Sequence, residues 1–115
     1  MAHIVVFAGE YDLANKKELQ KELSRLNSVE ELVLDLSEVT YIDSTFLSDL
    51  ISLEKTRRKK RLSSVTVIAP PKCLVRKLFQ VTGMMSLLNV VESYSGAAST
   101  IEYADLEPLP VSLGQ

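Results

Sequence analysis

The chain has 115 residues, of which 46% are hydrophobic, which fits a single domain with its own core. Its net charge is −2 at pH 7, so it has no overall positive charge that would favour binding to nucleic acid. Its single cysteine, Cys73, excludes an intramolecular disulfide. Because no apolar run reaches the roughly 20 residues of a membrane span and the N-terminus lacks a signal-peptide pattern, we expect a cytoplasmic protein.

The first half of the chain alternates strand and helix patterns. His3–Ala8 is short, β-branched and closed by Gly9, which predicts a strand. Asn15 followed by Glu18 resembles a capping box and predicts the start of an amphipathic helix. The apolar stripe of that helix consists of Leu19, Leu23 and Leu26.

Two further strands and the helix between them follow. Leu32–Leu36 reads LVLDL and predicts a second strand. The next helix starts near Ser44 and ends in the basic run Arg57–Arg61, and Ser64–Ala69 predicts a third strand.

The last part of the chain is predicted to hold one more helix and strand before it loses its pattern. Pro71 suits the first turn of a helix that Gly83 ends. The predicted elements after it are a strand at Leu87–Val91, a short final helix at Ala97–Tyr103 and a loose tail.

This order predicts an α/β fold: a single layered domain over residues 1–104, with a four-stranded, mainly parallel or mixed sheet packed with helices, and a flexible tail at 105–115. In such sheets function gathers at the carboxyl ends of the strands. Asp12 and the run Asp43–Ser44–Thr45 lie at two of those ends.

Catalysis is disfavoured by the inventory of reactive side chains. The single histidine, His3, starts the first strand, whereas Ser44 follows the end of the second, so the two lie at opposite edges of a parallel sheet. One histidine and one cysteine cannot supply a zinc set, and the isolated glycines form no phosphate-binding loop. We therefore expect a protein that is not an enzyme and that uses no cofactor or metal.

The run Asp43–Ser44–Thr45 has two interpretations. The simpler one is a helix cap, in which these side chains satisfy unpaired N–H groups for about 1 kcal/mol each. The other is a phosphoacceptor, since a phosphate there would meet free amides and the positive end of the helix dipole and would add about −2 charge beside Asp43.

Two other features are more simply structural. The basic run Arg57–Arg61 fits a solvated helix end, where cations complement the dipole, although a docking patch for an acidic partner is the alternative. Cys73 has no second cysteine to resolve it, which disfavours a redox role.

Three stretches in register make the chain resemble the STAS domain family of bacterial anti-sigma factor antagonists. GEYD at 9–12 looks like the family's turn after the first strand, and LVLDLSEVTYIDST at 32–45 resembles its strand and D-S-[ST] signature. PPKCLVRKLFQVTGM at 70–84 is similar to its third-strand exit and helix. The resemblance covers roughly residues 3–103.

The resemblance implies a partner-switching cycle without direct contact to nucleic acid. The unmodified domain would bind an anti-sigma factor that is also a serine kinase of the histidine-kinase-like ATPase fold, and so release a sigma factor. The kinase would phosphorylate Ser44, with Thr45 as the alternative acceptor, and a PP2C-type phosphatase would reset it. The docking surface would include Glu10, Asp12, Asp43, Ser44, Thr45, Phe46 and Ser48.

Two departures from the family pattern qualify these expectations. Phe46 and Ser48 stand where the family carries glycines, and we hypothesise that Phe46 reshapes partner choice or is itself an apolar docking contact. The family's first strand also has no counterpart, which would expose a sheet edge that a tail or a partner could cover. Alternatives are a non-phosphorylated STAS scaffold subunit of a stress-signalling or lipid-transport complex and, less favoured, a small nucleotide-binding domain.

Overall fold

The computed structural model describes residues 2–11 and 16–104. Strand and helix alternate along the chain as far as the fourth strand. The elements are β1 (Ala2–Tyr11), α1 (Lys16–Leu26), β2 (Leu32–Ile42), α2 (Ser44–Lys59), β3 (Thr66–Ile68), α3 (Leu74–Thr82), a 3-10 turn (Met84–Ser86), β4 (Asn89–Val91) and β5 (Ala98–Tyr103).

The five strands form one sheet in the order β4-β3-β2-β1-β5, and every neighbouring pair is parallel. The α/β class and the STAS-like layering are therefore confirmed, with five strands rather than four and with no antiparallel pair among the described residues. The capping box predicted at Asn15 lies outside the described residues.

The main core lies between the sheet and the three helices. Val5, Leu34 and Val67 are in register on neighbouring strands, and each is completely buried. The apolar stripe predicted for α1 is buried against them, as are Leu50 and Leu53 of α2 and Val75 and Phe79 of α3. The amphipathic patterns thus place α1, α2 and α3 on one face of the sheet.

The last element corrects a prediction. Ala98–Tyr103 is a strand and not a short helix, because it pairs in parallel with β1 over a register that runs from Ala98 opposite Ala2 to Tyr103 opposite Val6. β5 thereby occupies the sheet edge that the resemblance left open beside β1. A local pattern of six residues does not reveal this, since the pairing partner lies almost a hundred residues earlier.

The connection between β4 and β5 joins opposite edges of the sheet. Because both strands run in the same direction, residues 92–97 have to travel across four strand spacings, about 19 Å in all. Tyr94 fixes this connection near the centre of the sheet, where its hydroxyl donates to a carboxylate oxygen of Glu31, just before β2, over 3.1 Å.

Candidate functional site

The start of α2 is capped by Asp43. This residue has extended backbone angles, φ −119° and ψ −175°, and its Oδ1 accepts hydrogen bonds from Thr45 N at 3.0 Å and Phe46 N at 3.2 Å. Its carbonyl accepts the first helical bond from Leu47 N. One carboxylate oxygen therefore satisfies two of the unpaired amides, and Ser44 and Thr45 are not needed as caps.

The hydroxyl of Ser44 is presented at the surface. Ser44 is the first helical residue and is exposed, whereas Thr45 is half-buried. Within the described ranges no hydrogen bond engages the Ser44 hydroxyl. Ser48, one turn further along α2, is also exposed. The helix start thus carries an accessible serine directly beside a fixed carboxylate.

The end of β1 lies next to the end of β2. Glu10 is in register with Tyr41, and Tyr11 with Ile42, so the two chain segments are neighbours just before Asp43. Two irregularities in the β1–β2 register and the positive φ of Gly9 (87°) bend β1 here. The predicted turn at 9–12 is therefore strand as far as Tyr11, while Asp12 lies outside the described residues.

The surface beside Ser44 combines a charge with an aromatic ring. Glu10 is exposed, and Tyr41, its neighbour on β2, is 47% exposed. Tyr41 was missed from the sequence, although a tyrosine before a turn in an otherwise apolar strand is a detectable signal. The strand register places Glu10 beside Tyr41, two residues before Asp43.

Three aromatic rings lie beneath the helix start. Phe46 contacts Phe7 edge-to-face at 6.3 Å between centroids and Tyr11 in a tilted arrangement at 5.3 Å. Phe46 is only 1% exposed. The hypothesis that it is an apolar docking contact is therefore wrong, because its apolar ring is more favourably buried among the other two than left in water.

Tyr11 is the polar member of this cluster. Its hydroxyl oxygen accepts a hydrogen bond from Ala8 N at 3.0 Å, which satisfies the buried oxygen within β1 itself. Burial raises the pKa of Tyr11, and the negative charge of Glu22 acts in the same direction. The phenol therefore stays neutral at physiological pH and serves the packing beneath α2.

The basic run at the other end of α2 is not simply a solvated helix end. Arg57 is fully buried, and its guanidinium donates to the backbone oxygens of Val29, Glu30 and Ser63. Burial lowers the pKa of Arg57, and the nearby charge of Glu54 opposes this shift. The solvated interpretation fails for Arg57 because three carbonyls outside any ladder require donors there.

Glu54 supports the same region from one turn earlier. It is 4% exposed, its Oε1 accepts from Val65 N at 2.9 Å, and its Oε2 accepts from Arg58 Nε at 3.0 Å. Buried charged residues of this kind were missed, because a charged residue in a helix pattern is normally assigned to the exposed face. Through its hydrogen bonds to Val65 and Arg58, Glu54 connects α2 to the segment that leads into β3.

Other sequence features have local roles. Cys73 is half-buried and caps α3, since its Sγ accepts from Arg76 N at 3.4 Å. His3 lies at the start of β1 beside Glu102, so it is not near Ser44. Across residues 2–11 and 16–104, no group of histidine, cysteine and acidic side chains could hold a metal ion, and no helix is long and apolar enough to span a bilayer.

Comparisons with known proteins agree with this fold. A solved structure described as "Structure of the Anti-Sigma Factor Antagonist SpoIIAA in its Unphosphorylated Form" is similar over 78% of this chain and 79% of its own, with 14% sequence identity and a TM-score of 0.59. At that identity the likeness establishes a shared fold. A search of curated proteins gives no match. The sequence model of a family described as "Mlab, STAS domain" matches residues 2–91, which is most of the chain. The resemblance is thus confirmed: the chain belongs to the STAS domain family.

Proposed function

We propose that this chain is a regulatory binding domain of the anti-sigma factor antagonist type, with Ser44 as the phosphoacceptor that switches binding. The observation that supports this is the exposed first residue of α2, which follows a fixed Asp43 and lies beside the end of β1. Its fold is similar to that of a protein described as an anti-sigma factor antagonist. Thr45 is the weaker acceptor because it is half-buried.

The partner would be an anti-sigma factor that is also a serine kinase, held by the unphosphorylated surface around Glu10, Asp43 and Ser44. Asp12 belongs to the same proposed surface, as does exposed Ser48. In the modification step the Ser44 oxygen attacks the γ-phosphorus of ATP, its proton leaves, and ADP is released. A PP2C-type phosphatase would hydrolyse the phosphoester and regenerate the hydroxyl. The chain supplies the accepting hydroxyl, and catalysis belongs to its partners.

The switch would be electrostatic and would not require refolding. Asp43 already accepts from the amides of Thr45 and Phe46, so a phosphate on Ser44 would not find those donors free. It would instead add about −2 charge beside a carboxylate at the docking surface. A partner that fits the neutral hydroxyl would then meet like charges and lose hydrogen-bonding contact.

Titration calorimetry against kinase-like anti-sigma factors of the same genome, with ADP present, tests this proposal. We expect tight binding by the wild type and by Ser44→Ala, and a loss of at least about tenfold in Ser44→Asp, which is about 1.4 kcal/mol. Ser64→Asp is the matched control, because it adds the same charge to an exposed serine before β3, outside the proposed docking surface. A loss in Ser64→Asp equal to that in Ser44→Asp would contradict a switch specific to Ser44.

Phosphate incorporation provides a second readout. With ATP and the kinase, the wild type should gain one phosphate by mass spectrometry and Ser44→Ala none. Incorporation into Ser44→Ala would move the assignment to Thr45.

The second candidate is a STAS scaffold subunit of a stress-signalling or lipid-transport complex that is never phosphorylated. Phe46 and Ser48 in place of the family's glycines favour it. This candidate predicts that Ser44→Asp binds its partner as well as the wild type does, whereas the switch predicts a loss.

A further inference from the structure

The outer edge of β5 has the features of a strand that pairs with another chain. β5 spans six residues, Ala98–Tyr103, and among residues 2–11 and 16–104 it pairs with β1 on its inner side and with no strand on its outer side. The opposite edge of the sheet is β4, which has only three residues, Asn89–Val91. Short edge strands limit unwanted pairing with other chains, so β4 is protected by its length and β5 is not.

The unpaired backbone groups of β5 can be assigned to particular residues. The amide of Ala104 points inward, since it donates to Val6 O at 2.9 Å. Because successive residues of a strand direct their amide and carbonyl to alternate sides, those of Glu102 also point toward β1. The amides and carbonyls of Ile101 and Tyr103 therefore point outward, away from the sheet.

The same two residues carry large exposed side chains. Ile101 is 62% exposed and Tyr103 is 73% exposed, and they project from one face of β5 because they are two positions apart. Glu102 projects from the other face, where it pairs with Arg25 of α1 and His3 of β1. The outer edge thus offers apolar side chains next to open hydrogen-bonding groups.

The usual protection of an edge strand is missing from β5. Natural edges are commonly guarded by lysine, proline or an unpaired charge, and ASTIEY contains no lysine and no proline. The one charged residue of ASTIEY is Glu102. The Arg25 guanidinium holds the pKa of this carboxyl below its usual range, so Glu102 is ionised and paired with Arg25 at neutral pH. Nothing on the strand itself repels another strand.

We propose that β5 is a self-association edge, at which a second copy of this chain adds its own β5 in the antiparallel direction about a two-fold axis at Ile101. The register is self-complementary. Ile101 meets Ile101 of the second copy, and Tyr103 meets Ser99. Each Glu102 lies opposite a Thr100, so the two carboxylates do not face each other.

The dimer would be a continuous ten-stranded sheet with a modest interface. The interface would bury the exposed parts of two Tyr103 and two Ile101 side chains and the edges of the two strands. We expect this area to be at or below the roughly 1,200 Å² that marks weak, transient interfaces. We therefore expect a concentration-dependent equilibrium. Ser44 lies at the end of β2, which β1 separates from β5, so its exposure does not change in the dimer.

Sedimentation equilibrium over a hundredfold range of concentration tests the association. The wild type should move from the monomer mass toward twice that value, and Ile101→Lys should remain a monomer throughout. Val81→Lys is the matched control, because it makes the same change at a residue of α3 that is 84% exposed. A wild type that stays monomeric, or a Val81→Lys variant that dissociates as Ile101→Lys does, would overturn the proposal.

A cysteine at position 101 tests the register. Two residues that exchange both hydrogen bonds in an antiparallel pair have Cα atoms about 5.5 Å apart, which suits a disulfide. In a Cys73→Ser background, Ile101→Cys should form an intermolecular disulfide under mild oxidation, and Val81→Cys should do so far more slowly. Equal rates would contradict the two-fold axis at Ile101. Neither test depends on Ser44, so failure here leaves the proposed phosphorylation switch standing.

Discussion

The two ends of α2 handle their polar groups in opposite ways. At its start Asp43 satisfies the helix amides, which leaves the neighbouring hydroxyl of Ser44 exposed above the buried ring of Phe46. At its end the charged Arg57 is buried and every nitrogen of its guanidinium donates to a backbone carbonyl. The start of α2 presents a hydroxyl at the surface, whereas at its end a buried charge holds two loops together.

The difference shows that a polar residue type does not by itself predict an exposed side chain. A polar side chain is buried where backbone groups without other partners need it as a hydrogen-bond donor or acceptor. The start of a helix can be satisfied by one carboxylate, so its other polar side chains are available to partners. Carbonyls in the loops before β2 and β3 have no ladder partner, and an arginine with a long apolar stem can reach them from α2. We therefore expect substitutions at the two ends to differ in kind: binding effects at Ser44 and stability effects at Arg57.

The largest loss of stability is expected for Phe46→Gly, which restores the residue of the family pattern. Removal of a buried phenyl ring costs about 3–5 kcal/mol, and a glycine inside a helix adds about 1 kcal/mol. Ser48→Gly is the matched control at the other family glycine, where an exposed position should lose only about 0.5 kcal/mol. Urea denaturation measures both. Equal losses would show that Phe46 is not a core residue of the folded protein.

Arg57→Ala is expected to cost about 2–4 kcal/mol, because three carbonyls lose the guanidinium, only one of them keeps a second donor among the described residues, the hydroxyl of Ser63, and a cavity remains beside Glu54. Arg57→Met keeps most of the stem volume but no donor, so the portion of the loss that Met does not recover belongs to hydrogen bonding. Lys59→Ala, at an exposed position in the same run, should change the free energy of unfolding by less than about 0.5 kcal/mol. An Arg57→Ala protein as stable as Lys59→Ala would remove the contrast between the two helix ends.

The sequence predicted the start of α2 and its cap better than it predicted the edges of the sheet. Asp43 and Ser44 could be located because a cap is a local pattern, and their position after an apolar strand fixes the edge of the sheet at which they lie. The burial of Arg57 could not be read from RRKKR, since its acceptors lie in two separate loops. β5 was missed for the same reason: ASTIEY is a strand only because β1 offers it a free edge. Interactions between distant segments decide both cases.

The smallest effects on stability are expected at Asp43, where they separate two roles of one side chain. Asp43→Ala should lose about 1 kcal/mol with the cap, whereas Asp43→Asn keeps an accepting oxygen for the amides of Thr45 and Phe46 and should lose less than half of that. Thermal denaturation distinguishes the two variants, and equal losses would mean that the charge of Asp43, and not its hydrogen bonds, stabilises the helix start.

The same asparagine variant then tests the electrostatic switch through a double-mutant cycle. If like-charge crowding beside Asp43 helps to expel the partner, Ser44→Asp should weaken binding less in the Asp43→Asn background than in the wild type. A penalty of the same size in both backgrounds would assign the switch to the partner's own contacts with the Ser44 hydroxyl. Asp43 would then act only as the cap that keeps this hydroxyl exposed.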